Sequence, residues 1–263
     1  MSPFDQHDAD CRCEWGVPGL DSLAPAAVVI VVDVLSFSTC VDVAVGRGAA
    51  ILPYPWNDAS AADFAAAHHA VLAGPRRAAG YSLSPGSFVD ASAGLRCVLP
   101  SPNGATLAVR AAATGATVLA GCLRNAAAVA TAARERGATF NVCPAGERWP
   151  DGSLRVAIED WLAAGAILRA LPGRKSAEAT LAIAAFESGQ HSIQALLAAS
   201  SSGRELIARG FGSDVELAAQ VDVSNHAARL EEGAFIKLCG PAVQPRATGG
   251  FKECERPRAS AGG

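Results

Sequence analysis

The sequence predicts an α/β protein in which a largely parallel sheet is covered by helices on both faces. Three observations predict it. Val28–Val32 is an unbroken aliphatic, β-branched run of strand length, the pattern of a strand buried on both faces. Strand-like runs then alternate with helix-like stretches through the first two thirds of the chain. Finally, the chain has 263 residues, 50% of them hydrophobic and 18% charged, so it can bury a large core without disulfide or metal staples.

Residues 1–27 read as an irregular lead-in with one short strand near Cys11–Trp15. Val28–Val32 runs into Asp33, and a helix over Phe37–Val45 returns across the sheet. Gly46-Arg47-Gly48 turns into a strand over Ala49–Tyr54, and Asn57-Asp58 caps a helix over Ala59–Ala67. Ala70–Ala73 is a short strand. The Gly-, Pro- and Ser-rich loop from Gly74 to Ser87 is long for a compact domain, which marks it as functional or mobile. Leu95–Leu99, Thr117–Ala120 and Thr139–Cys143 read as strands, followed by helices over Ala105–Ala113, Ala126–Arg136 and Val156–Leu171. From Ser176 the chain reads helical: Ala177–Phe186, His191–Ala199, Arg204–Arg209, and a last helix opened by the capping box Ser213-Asp214-Val215-Glu216. Phe235–Leu238 reads as a closing strand. Residues 1–245 therefore form one α/β domain, divisible into sub-lobes at about 1–172 and 173–245, and 246–263 form a loose tail.

Several classes are excluded. A net charge of −3 gives no basic field for nucleic acid. All but three of the 22 basic residues are arginine, which suits phosphate or carboxylate but equally reflects a GC-rich genome. The 8 cysteines contain no C-x-x-C pair, so zinc-ribbon spacing is missing. Cys11 and Cys13 sit in a polar context and are candidates for reactivity. The acidic N-terminus is not a signal peptide, and no run approaches the roughly 20 apolar residues of a membrane span, so a cytoplasmic protein is expected. There is no G-x-G-x-x-G, no phosphate-binding loop, no G-x-S-x-G elbow and no H-E-x-x-H. Leu35, two residues after Asp33, stands where the common aspartate-nucleophile phosphatases carry a second Asp.

The candidate chemistry lies just past the strand ends. If the strands are parallel, Asp33, Asn103, Arg124 with Asn125, and Glu147 with Arg148 converge on one rim, where α/β sheets bind ligands. Carboxylates and amides there suit a hard divalent cation such as Mg²⁺. Arg124 and Arg148 suit an anionic substrate, and the helix starts after Asn103 and Asn125 offer free N–H groups. These parts fit metal-assisted phosphoester hydrolysis. Each also has an ordinary structural role: Asp33 and Asn125 as helix caps, Asn103-Gly104 as a turn, and Glu159 and Asp160 as charges favoured near a helix start.

The stretches VVIVVDVLSFSTCVDVA, SPNGATLA, GCLRNA, CPAGERW and AIEDWLAAGAI, in that order, resemble the 2-phosphosulfolactate phosphatases; SSSGRELIARGFGSDVELAA is a weaker match. The resemblance runs from about Val28 to Leu238. It implies a three-layer α/β/α fold with a largely parallel or mixed sheet. It also implies a Mg²⁺-dependent phosphatase converting 2-phosphosulfolactate to sulfolactate, a coenzyme M precursor in methanogens. Carried onto matching positions, it implies Asp33, Glu147 and Asp160 as catalytic residues, and Asp33, Glu159 and Asp160 as Mg²⁺ ligands. Ser101, Asn103, Gly104, Arg124, Asn125 and Arg148 become substrate contacts. The chain departs from the pattern at Ser36, in place of an arginine, at Pro75, in place of a glutamate, and at Ser82–Pro85, in place of G-N-S-P. A different small phosphorylated acid is thus a competing substrate, and a non-catalytic anion-binding or regulatory protein is the competing function. An Ala-rich, weakly charged surface leaves room for a homodimer.

Overall fold

The computed structural model describes residues 2–56 and 58–238; Asn57 of the expected cap, Cys239, Cys254 and the expected tail 246–263 lie outside the described residues. Cys11–Cys13 (β1) is followed by the helix Gly16–Ser22 (α1). Val28–Val32 (β2), Phe37–Gly46 (α2), Ala50–Tyr54 (β3), Ser60–Ala67 (α3) and Val71–Leu72 (β4) come next. Arg96–Pro100 (β5) leads to Gly104–Ala112 (α4), and Thr117–Gly121 (β6) leads to Ala126–Arg134 (α5). Phe140–Pro144 (β7) precedes a small hairpin of Glu147–Arg148 (β8) and Leu154–Arg155 (β9). The helices Ile158–Ala170 (α6), Ala177–Gly189 (α7), Ile193–Ala199 (α8), Ser201–Ala208 (α9) and Gly212–Ala218 (α10) follow. Ala227–Glu231 (β10) and Ala234–Leu238 (β11) close the described chain as a hairpin.

The main sheet has 9 strands in the order β1-β7-β2-β6-β10-β11-β3-β5-β4. Strand β2 sits among parallel partners, β7 on one side and β6 on the other. Its five residues divide between the two faces, as the pleat requires. Val28, Ile30 and Val32 pack into a core with α5, α6 and α7, whereas Val29 and Val31 pack into a second core with α1, α2 and α4. This is the three-layer α/β/α arrangement. Helix α6 is apolar nearly all round because it lies inside the first layer, against α7. Gly165 permits that approach, since a Cβ there would stand 2.0 Å from the Ala182 carbonyl oxygen.

The sheet is mixed, and its senses change in the middle. β10 runs antiparallel to β6, β11 antiparallel to β10, and β3 antiparallel to β11. Hence β3, β5 and β4, parallel among themselves, run opposite to β1, β7, β2 and β6. The single rim expected from parallel strands is therefore corrected: the loop after β5 leaves from the opposite sense to the loop after β2. The two still meet: the Gly104 N–H, just past β5, donates to Asp33, just past β2.

Three further expectations change. The lead-in holds helix α1, hidden in the sequence by Gly16, Pro18 and Gly19. Ser213 is not a cap: α10 begins at Gly212, with Phe211 at the N-cap and no side-chain cap bond, and Asp214 instead turns to the loop of residues 84–86. Cys11 and Cys13 are fully buried, and burial pushes both thiols up, the opposite of what a reactive thiol needs. Among the described residues, no helix is long and apolar enough to cross a membrane.

Candidate active site

Asp33 follows the last residue of β2 and is buried. One carboxylate oxygen, Oδ1, accepts the Phe37 N–H at 3.1 Å, capping α2 from outside its first turn. Oδ2 accepts the Gly104 N–H at 2.8 Å, which ties the start of α4 to the end of β2. Glycine is required at 104: a Cβ would lie 2.5 Å from Asp33 Oδ2 and 2.7 Å from the Phe37 ring. One side chain thus both holds the start of α2 and lines the cleft.

Three more carboxylates gather around it. Glu159 and Asp160, in the first turn of α6, are buried. Asp160 Oδ1 accepts the Val34 N–H at 2.7 Å and Oδ2 accepts the Gly146 N–H at 2.9 Å, so it laces the loop after β2 to the loop after β7. The charge of buried Glu159 bears on Asp33, Asp160 and Glu147. Glu147, at the start of β8, accepts from Asn103 Nδ2 at 2.8 Å. Asn103 in turn donates its backbone N–H to the buried Ser101 hydroxyl.

The electrostatics follow from burying like charges together. Burial, with Glu159 adding to it, pushes Asp33 from 3.8 up to about 6, against the Phe37 and Gly104 amides and Arg76. Burial, then Asp33, raises Glu147 from 4.5 to about 7, opposed by Arg155 and Asn103. Asp160 is raised well above the usual carboxylate range by burial and by Asp33 and Glu159, despite its two amide bonds.

Asp33, Ser101, Asn103 and Glu147 line a cleft of about 330 Å³ together with Ser36, Arg76, Ser202, Glu205 and Arg209, and Glu159 and Asp160 lie behind its wall. The structure thus brings together Asp33, Ser101, Asn103, Gly104, Glu147, Glu159 and Asp160. It does not bring Arg124, Asn125 or Arg148 to the cleft wall. Arg124 pairs with the buried Asp42 at 2.9 Å and lines a separate cavity with His226. Asn125 is buried, accepting from the Cys122 N–H and donating to the Ala120 carbonyl. Arg148 is exposed and donates to the Pro102 and Gly152 carbonyls, bracing the Ser101–Gly104 loop from outside. Sequence reasoning missed Arg76, which sits in the long Gly74–Ser87 loop. Its Nη2 donates to the Ser36 hydroxyl at 2.9 Å, the position where the chain departs from the family pattern. Arg155 was missed too; it is held by Ser202 and acts electrostatically on Glu147.

Among the described residues, no three His, Cys, Asp or Glu side chains are arranged to hold a metal ion by themselves. Mg²⁺ asks for less: one or two carboxylates suffice when water and a substrate phosphate supply the other oxygens. Two buried carboxylates close enough for Glu159 to raise Asp33 are the donor chemistry that such an ion fits.

A family model described as 2-phosphosulpholactate phosphatase matches residues 19–233 of this chain. No curated protein matches it.

Proposed function

The chain belongs to the 2-phosphosulpholactate phosphatase family, and from that membership we propose a Mg²⁺-dependent hydrolase of 2-phosphosulfolactate or a closely related small phosphorylated acid. The observation that carries the reading is buried Asp33 and Glu159, grouped with half-buried Glu147, beside a cleft that also holds a guanidinium. Carboxylates packed this way repel one another and are held in reserve for a cation.

Asp33 and Glu159 would hold the ion, with Asp160 fixing the loops that carry Asp33 and Glu147. When bound, Mg²⁺ supplies charge neutralisation for the phosphoryl group and a site for water. The remaining chemistry belongs to the chain. Hydrolysis breaks the ester P–O bond and forms a P–O bond to water; one proton leaves the water and one reaches the departing alkoxide. Glu147, pushed up to about 7 and oriented by Asn103, is the group able to carry a proton near neutral pH. Asn103 and the buried Ser101 hold the mouth of the cleft in shape.

Phosphate release from 2-phosphosulfolactate and a panel of other small phosphorylated acids, in Mg²⁺ and in EDTA, tests the proposal. Metal-dependent release is expected. Release from another acid alone would keep the hydrolase and replace the substrate. Silence from folded protein that still binds sulfolactate would leave an anion-binding protein and overturn it.

A further inference from the structure

We propose that Arg76 anchors the non-reacting acidic group of the substrate, a carboxylate or sulfonate, while the phosphoryl group sits at the Asp33–Asn103 end of the cleft. The inference rests on the phosphatase reading and adds the recognition that reading leaves open.

The cleft is lined by two arginines, Arg76 and Arg209, against Asp33, Glu147 and Glu205. Arg209 is exposed and already paired with the exposed Glu205 on its own helix, four residues back, an arrangement that contributes little in water. Arg76 is different. Its side chain is only 12% exposed, and Nη1 lies 2.7 Å from Asp214 Oδ2. Asp214 is itself buried and fixed, with Oδ1 accepting from the Ser84 hydroxyl and the Gly86 N–H. The guanidinium also lies 5.4 Å from the Phe211 ring centroid, a cation–π distance. The fork is thus held before any ligand arrives, and preorganised donors lose little entropy on binding.

It also has capacity. Asp214 and Ser36 take one N–H each, which leaves three of the five guanidinium donors without a protein partner among the described residues. A planar fork with free donors suits a carboxylate or sulfonate through parallel hydrogen bonds. Asp33 and Glu147 line the same cleft and repel an anion that brings no cation of its own. A ligand with two negative ends is therefore oriented: the end that shares a cation with carboxylates goes to Asp33, and the bare acid goes to Arg76. Small phosphorylated hydroxy acids meet this demand, and phosphate esters of neutral alcohols do not.

The test compares wild type, Arg76→Gln and Arg76→Lys on two esters of similar size, a phosphorylated hydroxy acid and the phosphate ester of a neutral alcohol. Arg76→Gln should lower kcat/KM for the acidic ester about 10- to 100-fold, chiefly through KM, the range for lost hydrogen bonds to a charged group. The loss on the neutral ester should be about tenfold smaller than on the acidic one, since it has no acid group to lose those bonds. Arg76→Lys, which keeps the charge beside Asp214, should fall between. Equal losses on both esters would overturn the proposal, because Arg76 would then serve the phosphoryl group or the fold. If wild type hydrolyses neither ester, calorimetry with the unphosphorylated acid still reads the anchor: weaker binding to Arg76→Gln supports it, and unchanged binding overturns it. Should Arg76→Gln fail to fold, Arg76→Lys carries both comparisons.

Discussion

Asp33 has four roles within one carboxylate: strand terminus, helix cap, tether for α4 and member of the acidic group. Its tight surroundings make Gly104 the most sensitive neighbour. Gly104→Ala should cost about 2 kcal/mol or more in denaturant unfolding, since overpacked sites typically lose 1–3 kcal/mol, and should abolish activity. The raised carboxylates also fix a sign for pH. Asp33 and Glu147 bind their protons more tightly folded than unfolded, so the stability they contribute is fully present below about pH 4. It is lost as pH rises through about 6 and about 7. For Asp33 the loss is on the order of 2–3 kcal/mol. Metal-free wild type should therefore lose stability relative to Asp33→Asn across that window. A flat difference between the two proteins, measured by urea unfolding at each pH, would contradict the electrostatic account.

At the scale of elements, the site is assembled by side chains that join loops. Asp160 closes the loops after β2 and β7, and Asp214 closes the loop carrying Arg76. Asp160→Ala strands the Val34 and Gly146 amides, so it should cost about 2–4 kcal/mol by the usual penalty for unpaired buried donors. Faster hydrogen exchange at those two amides is the accompanying readout. Elements with strong local grammar were legible. Val28–Val32 is bounded as expected, and the loop after it holds the expected carboxylate. The Ala-Ala-Arg-Leu-Glu strand β10 was not legible, because one interior leucine and no β-branched residue give it no strand signal of its own; its pairing with β6 and β11 makes it a strand. Arg76 was illegible for a related reason. Its partners Ser36 and Asp214 lie 40 and 138 residues away, and nothing in the local Gly-Pro-Arg-Arg-Ala sequence points to them.

For the whole molecule, the β10–β11 hairpin sits between β6 and β3 and joins two parallel blocks of opposite sense. The last described strands are central in the sheet. A fragment ending at residue 172 leaves both blocks with open inner edges and removes the helices that cover α6, so it should lack a cooperative unfolding transition by circular dichroism. The α/β class was readable from the alternation of elements, whereas the reversal of sense was not, because residue patterns fix which faces are buried and leave strand direction to the connections. The loop after β5 nonetheless reaches Asp33 through the Gly104 N–H, while Arg124, at the expected place past β6, is spent on Asp42. We propose that the carboxylates around Asp33 form a metal-dependent phosphatase centre. Its most direct test is phosphate release from a phosphorylated hydroxy acid by wild type and Asp33→Asn over a Mg²⁺ series. Release should saturate with Mg²⁺ in wild type and be lost in the variant; equal release by both proteins, or release indifferent to Mg²⁺, would rule such a centre out.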